Sequence, residues 1–249
     1  MSFEEKILTA SARNQSRTVL ALDLEDSDPS RLLVRSRDVV RSVKDFICAI
    51  KINRQLILGL GLRAVADSII KPAIDFSIPT IMDAKLNDVG HTNEFMARMY
   101  FDAGFDAIIA SAVAGWKDGL DRVFEVAVSR KKGVLMLTYM SNPGADAFYS
   151  LTADEGNGLR PLFEILTNRA LEWKAAGLIV GATKPQIISA VKRLVGSKLP
   201  IYSPGVGAQG GDAKAAVSAG ATYLIVGRAI YASADPKSAA LGLRIRPDP

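Results

Sequence analysis

Asp23 in ALDLED, Lys51 in AIKIN, and Asp83, Lys85 and Asp88 in IMDAKLND all stand at or just beyond the ends of short apolar runs. An ammonium flanked by carboxylates is held in its charged form. Fixed at one place, such groups can stabilise a developing anion and move a proton. If the runs are strands, side chains alternate with period two. Asp83 and Lys85 then point the same way, as do Lys51 and Asn53, while Ile50, Ile52, Met82 and Ala84 point to the other face. The plain alternative is a salt-bridge cluster that plugs a barrel end. Taking several charges out of water is costly unless their pairing is very good, so a chain that gathers two Lys and two Asp has a use for their field.

A second segment, YSPGVGAQGGD, carries Gly205, Gly207 and Gly210 in the spacing G-x-G-x-x-G. The dinucleotide fingerprint opens the first strand–helix unit and has an acid about 20 residues later. Here the segment follows the seventh strand and Arg228 lies near that distance. A phosphate site suits it better: glycines let backbone N–H groups approach an anion, Gln209 adds an amide donor, and Arg228 in VGRAIY adds a forked charged donor. The alternative for Arg228 is a surface ion pair. A third segment, LTYMSNPGADAF, has turn chemistry at Ser141-Asn142-Pro143-Gly144. It reads either as a plain connection or as a lid that brings a hydroxyl to a substrate.

The elements that must position these residues follow from periodicity. Apolar runs at residues 18–24, 49–53, 80–85, 107–112, 134–140, 177–182, 200–205 and 223–228 make eight candidate strands. Most gaps carry a helical pattern, as at 92–103, 159–175 and 184–194. Alternating strands and helices imply a parallel sheet. Eight units of about 30 residues close a barrel, the α/β fold of TIM type, (β/α)8, whose active sites sit at the C-terminal ends of the strands. One domain over residues 1–249 is expected, with residues 1–15 as an extra helix covering the N-terminal end and residues 244–249 as a short tail.

Composition narrows the function classes. Hydrophobic residues at 49% and charged residues at 23% suit a globular protein. No apolar run reaches the roughly 18 residues of a membrane span. The start, MSFEEKILTASARNQS, lacks the pattern of a signal peptide. The single cysteine, Cys48, reads as a buried thiol. A cytoplasmic location is expected, with no membrane partner. The net charge of +5 is spread without a basic, aromatic-laced cluster, so nucleic acid is not expected and a small anionic substrate is. The lone His91 is read as a loop residue, and Trp116 and Trp173 as packing residues.

Taken together, DAKLND, MSNPGA, SPGVGAQGGD and VGRAIY, with ALDL and AIKIN, resemble the orotidine 5′-phosphate decarboxylase family from Asp23 to Tyr231. DAKLND matches its D-x-K-x-x-D motif, which related sugar-phosphate enzymes share, and the strand-7 segment is the more specific signal. The loop after strand 5 looks most like the compact archaeal-type branch. That branch usually has Pro where this chain has Gly90, and Asn53-Arg54 also departs from it.

The resemblance implies decarboxylation of orotidine 5′-monophosphate to UMP in pyrimidine biosynthesis, with no metal and no cofactor. It implies an alternating network of Lys51, Asp83, Lys85 and Asp88. It implies a homodimer in which Asp88 and Thr92 complete the partner's site. Asp23 and Lys51 would contact ribose hydroxyls, Ser141 the pyrimidine, and Gln209, Arg228 and the Gly227 N–H the phosphate. Pro204 would be a further substrate contact. Loss of CO₂ from C6 leaves a carbanion without a conjugated sink, so Lys85 is expected to stabilise and protonate it. Two readings compete: a Mg²⁺-dependent sugar-phosphate decarboxylase or synthase, and a phosphate-ligand-binding barrel without activity. The first needs a further acid near the end of strand 2, where this chain has Lys51 and Asn53.

Overall fold

The computed structural model of the chain describes residues 1–156 and 158–247; residues 248 and 249 of the anticipated tail lie outside them. The strands are β1 (Thr18–Leu22), β2 (Ala49–Asn53), β3 (Thr80–Leu86), β4 (Ala107–Ser111), β5 (Gly133–Tyr139), β6 (Thr152–Asp154), β7 (Leu159–Pro161), β8 (Gly177–Val180), β9 (Ile201–Pro204) and β10 (Tyr223–Val226). Eight of them close a parallel barrel in the order β1-β2-β3-β4-β5-β8-β9-β10, the expected (β/α)8 architecture. Its strands are buried along nearly their whole length, as parallel strands covered on both faces must be.

The helices are α1 (Phe3–Asn14), α2 (Pro29–Val43), α3 (Arg54–Leu60), α4 (Leu62–Val65), α5 (Lys71–Asp75), α6 (Gly90–Asp102), α7 (Asp121–Ser129), α8 (Asp146–Tyr149), α9 (Leu162–Glu172), α10 (Pro185–Val195), α11 (Ala213–Ser218), α12 (Arg228–Tyr231) and α13 (Pro236–Gly242). Their starts are chemically marked. Ser2 and Glu5 form a reciprocal capping box on α1, and Asp28 caps α2 ahead of Pro29. Asn53 ends β2 and caps α3, accepting the Leu56 N–H at 3.3 Å.

One expectation is corrected. Residues 159–161 do not begin a helix: they form β7, which pairs antiparallel with β6 in a hairpin outside the barrel. The apolar spacing from Leu159 onward mimics a helix, but Pro161 disfavours helical backbone at the residue before it, and α9 starts at Leu162.

Two apolar clusters divide the core. The larger lies between sheet and helices and contains Ile50, Ile52, Met82 and Ala84, the side chains assigned to that face by alternation. The smaller fills the barrel interior, where Tyr202 and Tyr223 stack with ring centroids 4.7 Å apart. Phe3, Ile7 and Ala10 of α1 belong to it, so α1 closes the N-terminal mouth. Asp106 accepts from Lys6 at 2.7 Å, from Lys132 at 3.2 Å and from the Thr80 N–H at 3.1 Å. It thereby ties α1 to the strand ends on that side. Cys48 is buried as expected, and burial pushes its thiol well up. Trp116 and Trp173 pack together with Phe124, with Trp116 half-exposed.

Candidate active site

The C-terminal mouth holds a cavity of about 560 Å³. Register explains how its charges meet. Lys51 is level with Ala21 on β1 and Ile81 on β3. Asp23, just past the end of β1, and Asp83 in β3 stand two residues further along the chain, about 6.6 Å higher. The long lysine stem spans that step and brings Nζ to 2.9 Å from Asp83 and 3.3 Å from Asp23. Lys85 reaches the other Asp83 oxygen at 2.5 Å. Lys51 and Asp83 are buried, at 5% and 8% exposure.

Burial opposes the charge on Lys51, but Asp83 and Asp23 outweigh it and hold its pKa above the ordinary lysine value. Burial likewise opposes the Asp83 carboxylate, and Lys51 and Lys85 outweigh it, so its pKa lies below the usual carboxylate value. Both residues therefore stay ionised at neutral pH. Three members of the alternating network, Lys51, Asp83 and Lys85, are joined by ion pairs, and Asp23 also pairs with Lys51. Within the single chain Asp88 is exposed, makes no ion pair among the described residues, and lies outside the cavity lining. Thr92 is also absent from the lining.

Lys85 does not arrive by regular alternation. The pairing of β3 with β4 shifts between Met82 and Leu86, which are partnered by Ile108 and Ala110. Within that bulge Lys85 takes a left-handed backbone with φ of 47°. A non-glycine residue there stores about 1–3 kcal/mol of strain, a feature that concentrates at working sites. A second register shift, between Leu137 and Tyr139 of β5, precedes Met140 and Ser141 at the cavity wall.

The remaining substrate candidates line the same cavity: Ser141, Pro204, Gln209, Gly227 and Arg228. The loops after β5 and β9 meet at Gly205, whose φ is 97°. A Cβ there would stand 2.9 Å from the Ser141 Cβ and 3.0 Å from the Gln209 side-chain oxygen. Glycine thus serves both the turn and the close approach of the two loops. The Ser141 carbonyl accepts from Thr183 at 2.9 Å, and Asp146 pairs with Lys184 at 2.5 Å, which anchors the loop after β5 to the loop after β8. Arg228 is exposed and makes no ion pair among the described residues, so the surface-pair reading has no partner there.

The lining also includes Asn142 of the turn after β5, and Tyr231, Met140, Gln55 and Leu58, none of which was given a site role from the sequence. Tyr231 donates to the Asp23 carbonyl at 3.2 Å; its only signal was its place at the end of VGRAIY. Apolar Ile109, Leu137, Ile179 and Ile225 from four strands also line the cavity, and only barrel closure brings them together. Gly90 is explained by contact: a Cβ there would stand 2.5 Å from an Asp118 carboxylate oxygen and 2.9 Å from the Asp118 backbone carbon.

A closed barrel with a Lys–Asp–Lys chain of ion pairs at one wall of its mouth, and glycine loops with Arg228 at the other, defines a (β/α)8-barrel protein for a small anionic ligand. Residues 16–243 match the model of the orotidine 5′-phosphate decarboxylase / HUMPS family, and the chain belongs to that family. It is 38% identical over 89% of its length to orotidine 5′-phosphate decarboxylase of Methanosarcina acetivorans, covering 90% of that protein. The crystal structure of orotidine 5′-phosphate decarboxylase from Pyrococcus horikoshii matches at TM-score 0.73 and 34% identity, over 91% of this chain and 96% of that one. Leishmania donovani UMP synthase matches at TM-score 0.85 and 27% identity, over 98% of this chain and 55% of that one.

Proposed function

We propose that the protein decarboxylates orotidine 5′-monophosphate to UMP in pyrimidine biosynthesis, without metal or cofactor. The observation that carries this reading is the Lys51–Asp83–Lys85 chain of ion pairs at the cavity wall of a family member. In the reaction the bond from C6 to the carboxylate breaks, CO₂ leaves, and the electron pair remains on C6. The Lys85 ammonium stabilises that pair and then gives its proton to C6. Asp83, itself held by Lys51, keeps Lys85 in place. Asp23 and Lys51 bind ribose hydroxyls, Ser141 binds the base, and Gln209, Arg228 and the Gly227 N–H hold the phosphate against Pro204. The Mg²⁺-dependent alternative is less well supported, because Asp23 and Asp83 are already bonded to an ammonium and no third acid stands beside them on β2.

The working form in this reading is a cytoplasmic homodimer of a one-domain chain. Among the described residues no helix is long and apolar enough to cross a membrane. Thr92, Phe95 and Met99 share one face of α6 by their spacing. Phe95 is 66% exposed and Met99 44%, with Val89 at 52% and Val113 at 62%. Exposed apolar side chains on α6 and at its N-cap Val89, the residue after Asp88, suit a protein interface, and a second copy would place Asp88 and Thr92 at its neighbour's site.

The test is loss of the substrate's ultraviolet band with purified protein in excess EDTA, with UMP and CO₂ identified as products. Turnover under EDTA supports the reading. No turnover with or without Mg²⁺ rejects it.

A further inference from the structure

Asn93 is a fully buried amide in the first turns of α6, and it makes no contribution to the cavity lining. Its side-chain oxygen accepts the Asp88 N–H at 3.1 Å. Its Nδ2 donates to the Asp88 carbonyl at 2.5 Å and to the Gly119 carbonyl at 3.2 Å. A buried amide is costly unless its hydrogen bonds are made. Here two of the three go to the backbone on either side of one residue, Asp88. The third goes to the turn after β4, whose Asp118 presses against Gly90 at the first residue of α6. Asp88 is thus gripped at its backbone by one side chain of α6, which is itself tied to the turn after β4. Its carboxylate, exposed and without an ion pair among the described residues, accepts only the neighbouring Val89 N–H at 2.7 Å.

We infer that Asn93 is a positioning residue that fixes the Asp88 carboxylate for the active site of a second copy of this chain. The inference rests on the shared-site dimer proposed above. An exposed aspartate at a loop–helix junction ordinarily samples several backbone states, and a carboxylate that must enter a neighbour's site cannot. A misplacement of about 1 Å in a catalytic constellation costs about 100-fold in rate. A purely structural role for Asn93 would damage the subunit that carries the change. A positioning role damages the partner's site instead, and the two are separable by mixing subunits.

The experiment uses full-length Asn93→Ala and Asn93→Asp chains, assayed with orotidine 5′-monophosphate. Each should lose roughly 10- to 100-fold in kcat. Each is then mixed with Lys51→Ala subunits, whose own Asn93 and Asp88 are intact. In a mixed dimer the site built on the Asn93 variant's lysines receives a well-placed Asp88 from its partner. Random pairing restores about one quarter of all sites, so activity should rise to roughly a quarter of wild type. Asp88→Ala mixed with Lys51→Ala is the control for site sharing. If that control recovers and the Asn93 mixtures do not, Asn93 serves only its own barrel and the inference is overturned. Retention of more than half of wild-type kcat by either variant also overturns it, as does failure of both variants to fold. Failure of the control itself rejects the shared site of the preceding reading, and this inference with it.

Discussion

Replacing Asp83 by Ala measures what the ion cluster contributes to folding. Asp83 is 8% exposed and accepts from Lys51 at 2.9 Å and Lys85 at 2.5 Å. At an effective dielectric of about 20, a unit pair at that Lys51 distance attracts by about 6 kcal/mol, most of which offsets desolvation of the two ions. Without Asp83, Lys51 keeps only Asp23 at 3.3 Å. Lys85, with 30% of its side chain exposed, can turn to water. Breaking a buried pair costs about 3–5 kcal/mol, and the freedom of Lys85 places this case near about 3 kcal/mol. For a chain of this size each kcal/mol moves Tm by about 2–4 °C, so Asp83→Ala should melt about 6–12 °C below wild type at pH 7. Circular dichroism melts at low and high salt test the location as well, because a buried pair is little screened. The acid limb carries a sign. Burial raises the Asp83 pKa and the two lysines outweigh it, so the folded value lies below the ordinary 3.8. Its stabilisation is therefore complete above that value and is lost as pH falls through the depressed one. The gap between wild type and variant should persist down to about pH 4 and close below it. An unchanged or raised Tm, or a gap abolished by salt, would refute the argument.

Lys85→Ala should lower kcat at least about 100-fold, the low end of what a positioned proton donor contributes; retention of more than about a tenth of the rate would remove Lys85 from that role. Arg228→Ala should weaken turnover of the nucleotide but leave that of the phosphate-free nucleoside nearly unchanged, as expected for binding energy from a remote group; equal losses on both substrates would reject the assignment. At the opposite mouth, Asp106→Ala strands the Thr80 N–H and frees Lys6 and Lys132. It should cost at least about 1–3 kcal/mol in urea unfolding while leaving KM within about twofold, since α1 and the cavity occupy opposite ends of the barrel.

Much of the architecture was legible because it depends on local rules. Apolar runs alternating with helical stretches, set between glycines, prolines and caps, are properties of short windows of chain. The eight barrel strands lie within a few residues of their expected places. The β6–β7 hairpin was not legible: the apolar residues after Leu159 have helical spacing, Pro161 argues only against helix before it, and the strand appears only in the pairing of Thr152–Asp154 with Leu159–Pro161.

The same division runs through the site. Residue type and position at a strand's end picked out Asp23, Lys51, Asp83, Lys85, Ser141, Gln209 and Arg228, because inward side chains at that end of a parallel barrel have one place to go. That Lys51 pairs with Asp23 as well as with Asp83 was decided by register, since it lies two residues below both and its stem spans the step. The bulge that turns Lys85 toward Asp83, the meeting of Ser141 and Gln209 over Gly205, and the bonds of Asn93 to Asp88 and Gly119 depend on distances between chain segments far apart in sequence. Periodicity carries no information about such distances. They exist only once the barrel has closed and set each strand's height against its neighbours.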